Sequence, residues 1–304
     1  MGLPPGVQPD YPLARLTTIR TGGRGEFFAR VGSLQQLTDL LKWASEQGHE
    51  VGVVGSGSNL LVADEGVRGL VMKLDKDLAQ IERDGTQLRC GGGARLPAVA
   101  ARAAGAGLSG LEFGVNIPGT VGGAVRMNAN AYGGELAGVL EWVDVATATG
   151  VERRTPDQLG FAYRRSSIGA QEVVARASFG LEPALAEEVK ATLADMRARR
   201  KAAQPSGIKT FGSTFKNPED PRAEGRTAGQ LLEAAGCRGL RVGGASFSAK
   251  HANFVENHGH ASTAEVLELM AQGRRRVRER CGVALEAEVQ TLGDVRWPES
   301  WDAE

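Results

Sequence analysis

The sequence is poor in cysteine. Only Cys90, Cys237 and Cys281 occur among 304 residues, far apart and without a Cys-x-x-Cys pair. That spacing excludes a disulfide framework and dithiol or zinc-ribbon motifs, and it fits a reducing compartment. Net charge is also missing, since 36 Lys and Arg are balanced by 36 Asp and Glu. A protein-wide basic surface for nucleic acid or an anionic membrane is excluded, whereas local anion sites are not. No apolar run reaches the ~18 residues of a membrane-spanning helix. The opening stretch, MGLPPGVQPDYPLAR, has prolines, no apolar core and no cleavage-site pattern. A secretory leader is therefore not expected, and a cytoplasmic location is. No internal repeat is found.

What remains is an ordinary globular composition, 41% apolar and 24% charged. The chain is long enough for two or three domains with separate cores. Glycine is abundant, at 42 residues, and clusters at 52–57, 91–93, 105–123 and 133–134. Such clusters mark positive φ or close backbone approach to a ligand, and equally the tight turns of a strand-rich chain.

Periodicity predicts a helix over Ser33–Gln47, capped by Ser33 and ended by Gly48, then a buried strand over Val51–Val54. Residues 60–92 read as four strands, Leu96–Ala104 as a short helix, and 105–134 shows no clear period. Strands are expected over 139–146, 151–153 and 172–180, and a long helix over Pro183–Gln204. That helix has Glu187 and Glu188 in its first turn and Arg197, Arg199, Arg200 and Lys201 near its end, as the helix dipole favours. Further helices are expected near 226–235 and over Thr263–Cys281, the second with a Ser262–Glu265 capping box, and a closing strand over Val283–Leu292. The resulting organisation is a glycine-rich, strand-dominated domain over 15–183 and a smaller helix-and-strand domain over 184–293. Residues 1–14 and 294–304 are tails.

Two motifs mislead. Gly55-Ser-Gly-Ser-Asn-Leu60 follows a strand, and Asp75 lies downstream, as in a Rossmann site. Leu60 occupies the third glycine position, however, and Gly66 and Gly69 interrupt the segment where a helix should run. No Gly-Lys-[Ser/Thr] follows, so it is not a P-loop either. What survives is a loop of small residues able to cradle phosphate. His251, His258 and His260 crowd together, but they suit no helix face and lack a supporting Cys or carboxylate set, so no metal is assigned.

Five segments carry chemistry in order: VVGSGSNLLV (53–62), GLEFGVNIPGTVGGAVRMNANAYGGEL (110–136), FAYRRSS (161–167), FGSTFKNP (211–218) and LEAEV (285–289), with AGQLLEAAG (228–236) and KHANFVEN (250–257) between the last two. Together they resemble the UDP-N-acetylenolpyruvoylglucosamine reductase (MurB) family, over about Thr18 to Leu292. The resemblance implies an α+β fold: an FAD-binding domain of the vanillyl-alcohol-oxidase, or PCMH, type with two α+β subdomains, then a smaller α+β substrate domain. It implies non-covalent FAD, held by Gly55, Ser56, Gly57, Ser58 and Asn59 and by Ile117, Pro118, Gly119, Thr120, Gly122, Gly123 and Ala124. Small residues there let backbone N–H groups reach a pyrophosphate. Taken alone, the Ile117–Gly123 stretch reads equally as a buried turn.

The implied reaction is reduction of the enolpyruvyl ether of UDP-N-acetylglucosamine to UDP-N-acetylmuramate, with NADPH as the reductant. Hydride goes to the terminal CH₂ carbon and a proton to its neighbour. Charge building on the adjacent carboxylate must be stabilised by aimed donors. By resemblance Arg164 is one, through a two-pronged guanidinium. Glu288 is a second stabiliser, which helps when protonated or when it orients another donor. Geometry alone does not separate Glu288 from Glu286, because alternate residues of a strand share a side. Ser213 matches the proton donor, effective only in contact with a strongly basic carbon. Asn217 matches a substrate position, Tyr163 is a further contact, and Lys216 either eases ionisation of Ser213 or binds ligand charge.

The chain departs from the family at Asn130, where Gly is common; Asn tolerates the left-handed region. It also lacks room between Arg164 and Ser213 for the extra loop, with a substrate-covering Tyr, of one family branch. Two other readings are a flavin oxidoreductase of the same superfamily acting on another alcohol or sugar, and a nucleotide-binding regulator without catalysis. The segments at 211–217 and 285–289 weigh against the first, and the Arg164, Ser213 and Glu288 set against the second.

Overall fold

A computed structural model describes residues 2–301. The chain divides into two compact units. The first comprises residues through Asp10, Glu26–Ser56 and Arg68–Arg200; the second comprises Tyr11–Gly25, Gly57–Val67 and residues from Lys201 on.

The first unit is built on two sheets. One runs in the strand order Val7–Pro12, Arg24–Val31, Val67–Leu74, Val51–Val53. Val51–Val53 lies parallel to Leu70–Met72. The helix α1 (Leu34–Glu46) is capped by Ser33, whose hydroxyl accepts the Gln36 N–H at 3.2 Å. Its apolar positions recur at helical spacing, so Leu37, Leu40, Leu41 and Ala44 form one buried face. That face packs with Ala29, Val31, Leu70 and Met72 and with Ala146, Val173 and Ala175.

The other sheet is antiparallel, in the order Gly150–Arg154, Leu140–Thr147, Val173–Gly180, Gln87–Gly91, Ile81–Asp84. Val143, Val145, Ala177, Phe179 and Leu88 turn inward to meet α2 (Leu96–Gly105) and α3 (Val121–Arg126). The stretch 105–134, without period in sequence, consists of short pieces: a two-residue strand, a 3₁₀ turn over Glu112–Asn116, α3 and a small hairpin. A period cannot show in elements this short. The helix expected from Pro183 begins later, as α4 (Ala186–Ala203), because Glu182–Pro183 pairs with Leu108–Ser109. Its Val189 and Leu193 are buried with Ala100, Ala104 and Val115. The first compact unit thus runs into α4, as far as Arg200, past the expected domain boundary at 183.

The second unit packs α5 (Ala228–Ala234) and α6 (Thr263–Cys281) on a three-stranded sheet over 241–257. Both helices open with capping boxes, Thr227–Gln230 and Ser262–Glu265. Their buried Leu231, Leu232, Val266, Leu269 and Met270 share a core with Phe215, Phe247, Val255 and Val289. The closing strand is shorter than Val283–Leu292. Only Gln290–Leu292 forms a ladder, parallel to Leu60–Val62. Residues 283–289 form no ladder; Ala287 makes an isolated bridge to Phe215, in a segment that is itself a loop rather than a strand.

Candidate active site

In the first unit, the strand Val51–Val53 delivers Gly55. A Cβ there would run into the Thr120 side chain, so Gly55 and the 117–124 loop meet at backbone distance. The second loop is seated from below. Val121 N–H donates to the Ala94 carbonyl and Gly122 N–H to the Gly92 carbonyl, both at 2.8 Å, while Leu96 N–H donates to Gly119 at 3.0 Å. A Cβ at Gly119 or Gly123 would meet little, Ile117 Cγ2 at 3.9 Å in one case and Thr120 Oγ1 at 3.6 Å in the other. The loop thus presents bare backbone on one face and is bonded on the other, which fits an anionic diphosphate.

Gly92, which supports this loop, carries no signal of its own in the sequence beyond glycine clustering. Neither does Lys73, whose ammonium donates to the Gly55 carbonyl. Burial, reinforced by Arg30, holds Lys73 below its ordinary value of 10.5, against the opposing pull of Asp75.

Tyr163 and Arg164 form the tip of a two-residue turn. Ala162 and Arg165 exchange backbone bonds at 3.0 and 3.1 Å across it. Arg164 is held at φ 55. Its guanidinium lies 5.0 Å from the Tyr163 ring centre, and Nη1 faces the Asn130 carbonyl at 3.4 Å. Buried Asn128 ties this turn to the glycine-rich segment: its amide donates to Ala162 at 3.3 Å and accepts from Ala137 N–H at 3.2 Å. Within the glycine-rich segment the non-glycine residues in the left-handed region are Asn128 and Tyr132, at φ 40 and 53. Asn130 itself sits in a short strand paired with Glu135, so the expected left-handed role does not fall on it.

In the second unit, the chain crosses itself at Ser213–Lys216 and Glu286–Glu288. Glu288 N–H donates to Thr214 and Lys216 N–H to Glu286, both at 2.9 Å, with Phe215 bridged to Ala287. The backbones carrying Ser213 and Glu288 are therefore fixed against one another. On the far side Ser213 bridges Phe254, and Thr214 N–H donates to Asn253 at 2.8 Å. The Asn253 amide then embraces Phe215, accepting its N–H and donating to its carbonyl at 2.9 Å each. Asn253 lies within the KHANFVEN segment, but nothing in the sequence shows which backbone it clamps.

The exposed Glu286 carboxylate takes Lys216 Nζ at 3.1 Å. Asn217 accepts the Ala228 N–H at 3.1 Å and so helps start α5. Asn59 donates to the Glu288 carbonyl at 3.2 Å and accepts from Gln290 N–H at 3.1 Å. It thereby braces the Glu288 strand, and the Ser58 carbonyl lies beside Gly212. Of the three histidines, His258 Nε2 meets Ser246 Oγ at 2.8 Å and His251 Nδ1 accepts from Asn253 N–H at 3.2 Å.

Two family models match. One, described as an FAD binding domain, covers residues 26–155; the other, the C-terminal domain of UDP-N-acetylenolpyruvoylglucosamine reductase, covers 204–292. A reductase of that name (number 2) from Symbiobacterium thermophilum is 43% identical over 97% of this chain and 94% of its own length. The chain belongs to the UDP-N-acetylenolpyruvoylglucosamine reductase family. The corresponding protein from Rubrobacter xylanophilus is 41% identical over 95% of this chain and 96% of its own. The crystal structure of the Thermus caldophilus reductase superposes with a TM-score of 0.81 at 38% identity, over 96% of this chain and 99% of that one.

The FAD-binding match spans Gly55–Asn59, Lys73 and the 117–124 loop. The reductase C-terminal match spans Ser213–Asn217, Asn253 and Glu288. The fold is accordingly the expected α+β arrangement of an FAD-binding domain and a family-specific C-terminal domain. Tyr163 and Arg164 fall between the two models, and residues beyond 292 fall after both. Among the described residues no helix is long and apolar enough to cross a membrane.

Proposed function

We propose that the chain reduces the enolpyruvyl ether of UDP-N-acetylglucosamine to UDP-N-acetylmuramate, the lactyl ether used in peptidoglycan precursor synthesis. It is an FAD-dependent oxidoreductase with NADPH as co-substrate, as its family membership and FAD-binding domain indicate. When bound, FAD supplies a two-electron hydride carrier between the two substrates. The bare backbone at Gly119 and Gly123 and the close approach of Gly55 to Thr120 support the assignment of these loops to its diphosphate.

The remaining roles are assigned to this chain's side chains. Arg164, presented at a turn tip with its backbone fixed, binds the enolpyruvyl carboxylate through two parallel N–H bonds. Tyr163 beside it lines the substrate. Glu288 stabilises the enolate-like charge that grows on that carboxylate during hydride addition. Ser213 donates its hydroxyl proton to the ether-bearing carbon and recovers one from solvent. Preorganised donors of this kind supply several kcal/mol because they need not reorient as charge develops. Lys216, already paired with Glu286, lowers the cost of a transient Ser213 alkoxide or meets the diphosphate of the UDP-sugar. Asn217 lies next to it on the substrate side. We place the reaction in the cytoplasm, where NADPH and nucleotide-sugars are available.

The observation that carries the reading is the pairing of Thr214 with Glu288, which holds the proposed proton donor and charge stabiliser on adjoining backbones. The test is the visible spectrum of the purified protein. Flavin bands should bleach on adding NADPH and recover, without oxygen, on adding the enolpyruvyl UDP-sugar. Bleaching without recovery would leave the flavoprotein and remove this substrate. A colourless protein that FAD does not reconstitute would refute the reading.

A further inference from the structure

Beyond residue 292, where the match to the C-terminal family model ends, the chain folds back onto its own core. Val295, Trp297 and Trp301 pack against the apolar cluster of the second unit. Trp297 and Trp301 lie 4.2 Å apart between ring centres. Trp301, in a 3₁₀ turn over Glu299–Trp301, stacks on Phe215 with centroids 6.2 Å apart and planes within 9°. Phe215 is fully buried, and it is the residue whose backbone Asn253 embraces and which bridges Ala287.

A second link runs through Arg274 of α6. Its guanidinium lies 5.0 Å from the Trp301 ring centre and donates to the Trp301 carbonyl, while its Nε donates to the Leu285 carbonyl at 3.0 Å. The same tryptophan therefore bears on both segments of the crossing. It touches the 213–216 side through the Phe215 ring and the 285–288 side through Arg274.

We infer that the segment Val295–Trp301 is an aromatic clasp and that Trp301 is a positioning residue for Ser213 and Glu288. The inference rests on the reductase reading above. Stacking presses Phe215 into its pocket, and the arginine link sets how far the Glu288 strand slides along it. Loss of the ring frees the crossing to shift by a fraction of an ångström, enough to spoil proton delivery, since misplacement of about 1 Å can cost on the order of 100-fold in rate. Ser213 and Glu288 act on the enolpyruvyl substrate after the flavin has been reduced, so reduction by NADPH should not depend on Trp301.

The test uses the holoenzyme and separates the two halves of the cycle. In W301A, bleaching by NADPH should stay within about twofold of the parent, whereas recovery with the enolpyruvyl substrate should slow about tenfold or more. Amide exchange over residues 212–216 and 285–288 should speed up. W301F keeps a ring in the stack and should restore recovery; W301L fills the space without a ring and should not. That pair decides the matter if W301A fails to fold. Recovery at the parental rate in W301A or W301L would overturn the clasp, as would equal slowing of both halves. If the parent enzyme itself does not recover with this substrate, the reductase reading has failed, and the exchange measurement alone then judges the clasp.

Discussion

Asn253 offers the sharpest test of how the proposed catalytic crossing is held. It is 4% exposed, and its amide makes two bonds of 2.9 Å to the backbone of the fully buried Phe215. Asn253→Ala removes both partners at once and leaves a peptide N–H and a carbonyl unpaired away from water. Each orphaned group costs about 1–3 kcal/mol, so the two together amount to roughly 2–6 kcal/mol. The Thr214 N–H bond to the residue 253 carbonyl survives, because it is made to backbone. That places the expected loss toward the lower half of the range, about 3 kcal/mol. Against a total stability of about 5–15 kcal/mol this is large. At about 2–4 °C per kcal/mol, Tm should fall on the order of 10 °C. Scanning calorimetry of the variant and parent measures it, with flavin content matched. A Tm within about 2 °C of the parent would refute the argument, because it would mean that water or another group satisfies Phe215 as well as Asn253 does.

Other outcomes follow from the same geometry. Ser213→Ala should leave bleaching of the flavin by NADPH unchanged and abolish turnover of the enolpyruvyl substrate, because protonation follows hydride transfer; stopped-flow absorbance reads both, and loss of the first step would remove Ser213 from its role. Gly57→Ala should release FAD. Gly57 sits at φ 64, and a Cβ would collide with the Leu16 carbonyl and lie 2.7 Å from Thr17 Cα, so the loop must move; a variant that keeps full flavin through dialysis would show that this loop does not hold the cofactor. His251 is kept below its ordinary value of 6.5, chiefly by burial. The unfolded chain then binds the extra proton first, so the histidine's contribution to stability is complete above 6.5 and is lost as pH falls through the interval down to its folded value. His251→Asn retains an acceptor for the Asn253 N–H and does not titrate. Its melting temperature should drop less than the parent's on acidification below 6.5, and parallel curves would contradict the assignment.

Much was decided by local sequence. The Ser33 cap, the i, i+3, i+4 leucines of α1 and the Ser262–Glu265 box of α6 are short-range signals, and the helices begin and end close to where those residues put them. Order and composition of five motifs carried the family resemblance and named Arg164, Ser213 and Glu288. The glycine loops announced close approach of backbone to something, because only that or a turn accounts for so many residues without side chains.

The tertiary structure decided what touches what. Glu286 and Glu288 alternate identically along the chain, and only the position of Lys216 on the crossing segment gives Glu286 an ion-pair partner. Asn59 reads in the sequence as a phosphate-loop residue, and only the parallel pairing of Leu60–Val62 with Gln290–Leu292 shows that it also sits beside the Glu288 carbonyl. Asn253 and Trp301 lie far along the chain from Phe215, and no periodicity or spacing links them; burial of one phenylalanine ring and the demand that its peptide groups be bonded bring them together. Even the long helix α4, whose sequence announces its dipole and its end before Pro205, does not announce its partners. A helix buries whichever face has a matching surface, and that surface was made by Ala100, Ala104 and Val115, 74 to 93 residues earlier than Val189 and Leu193.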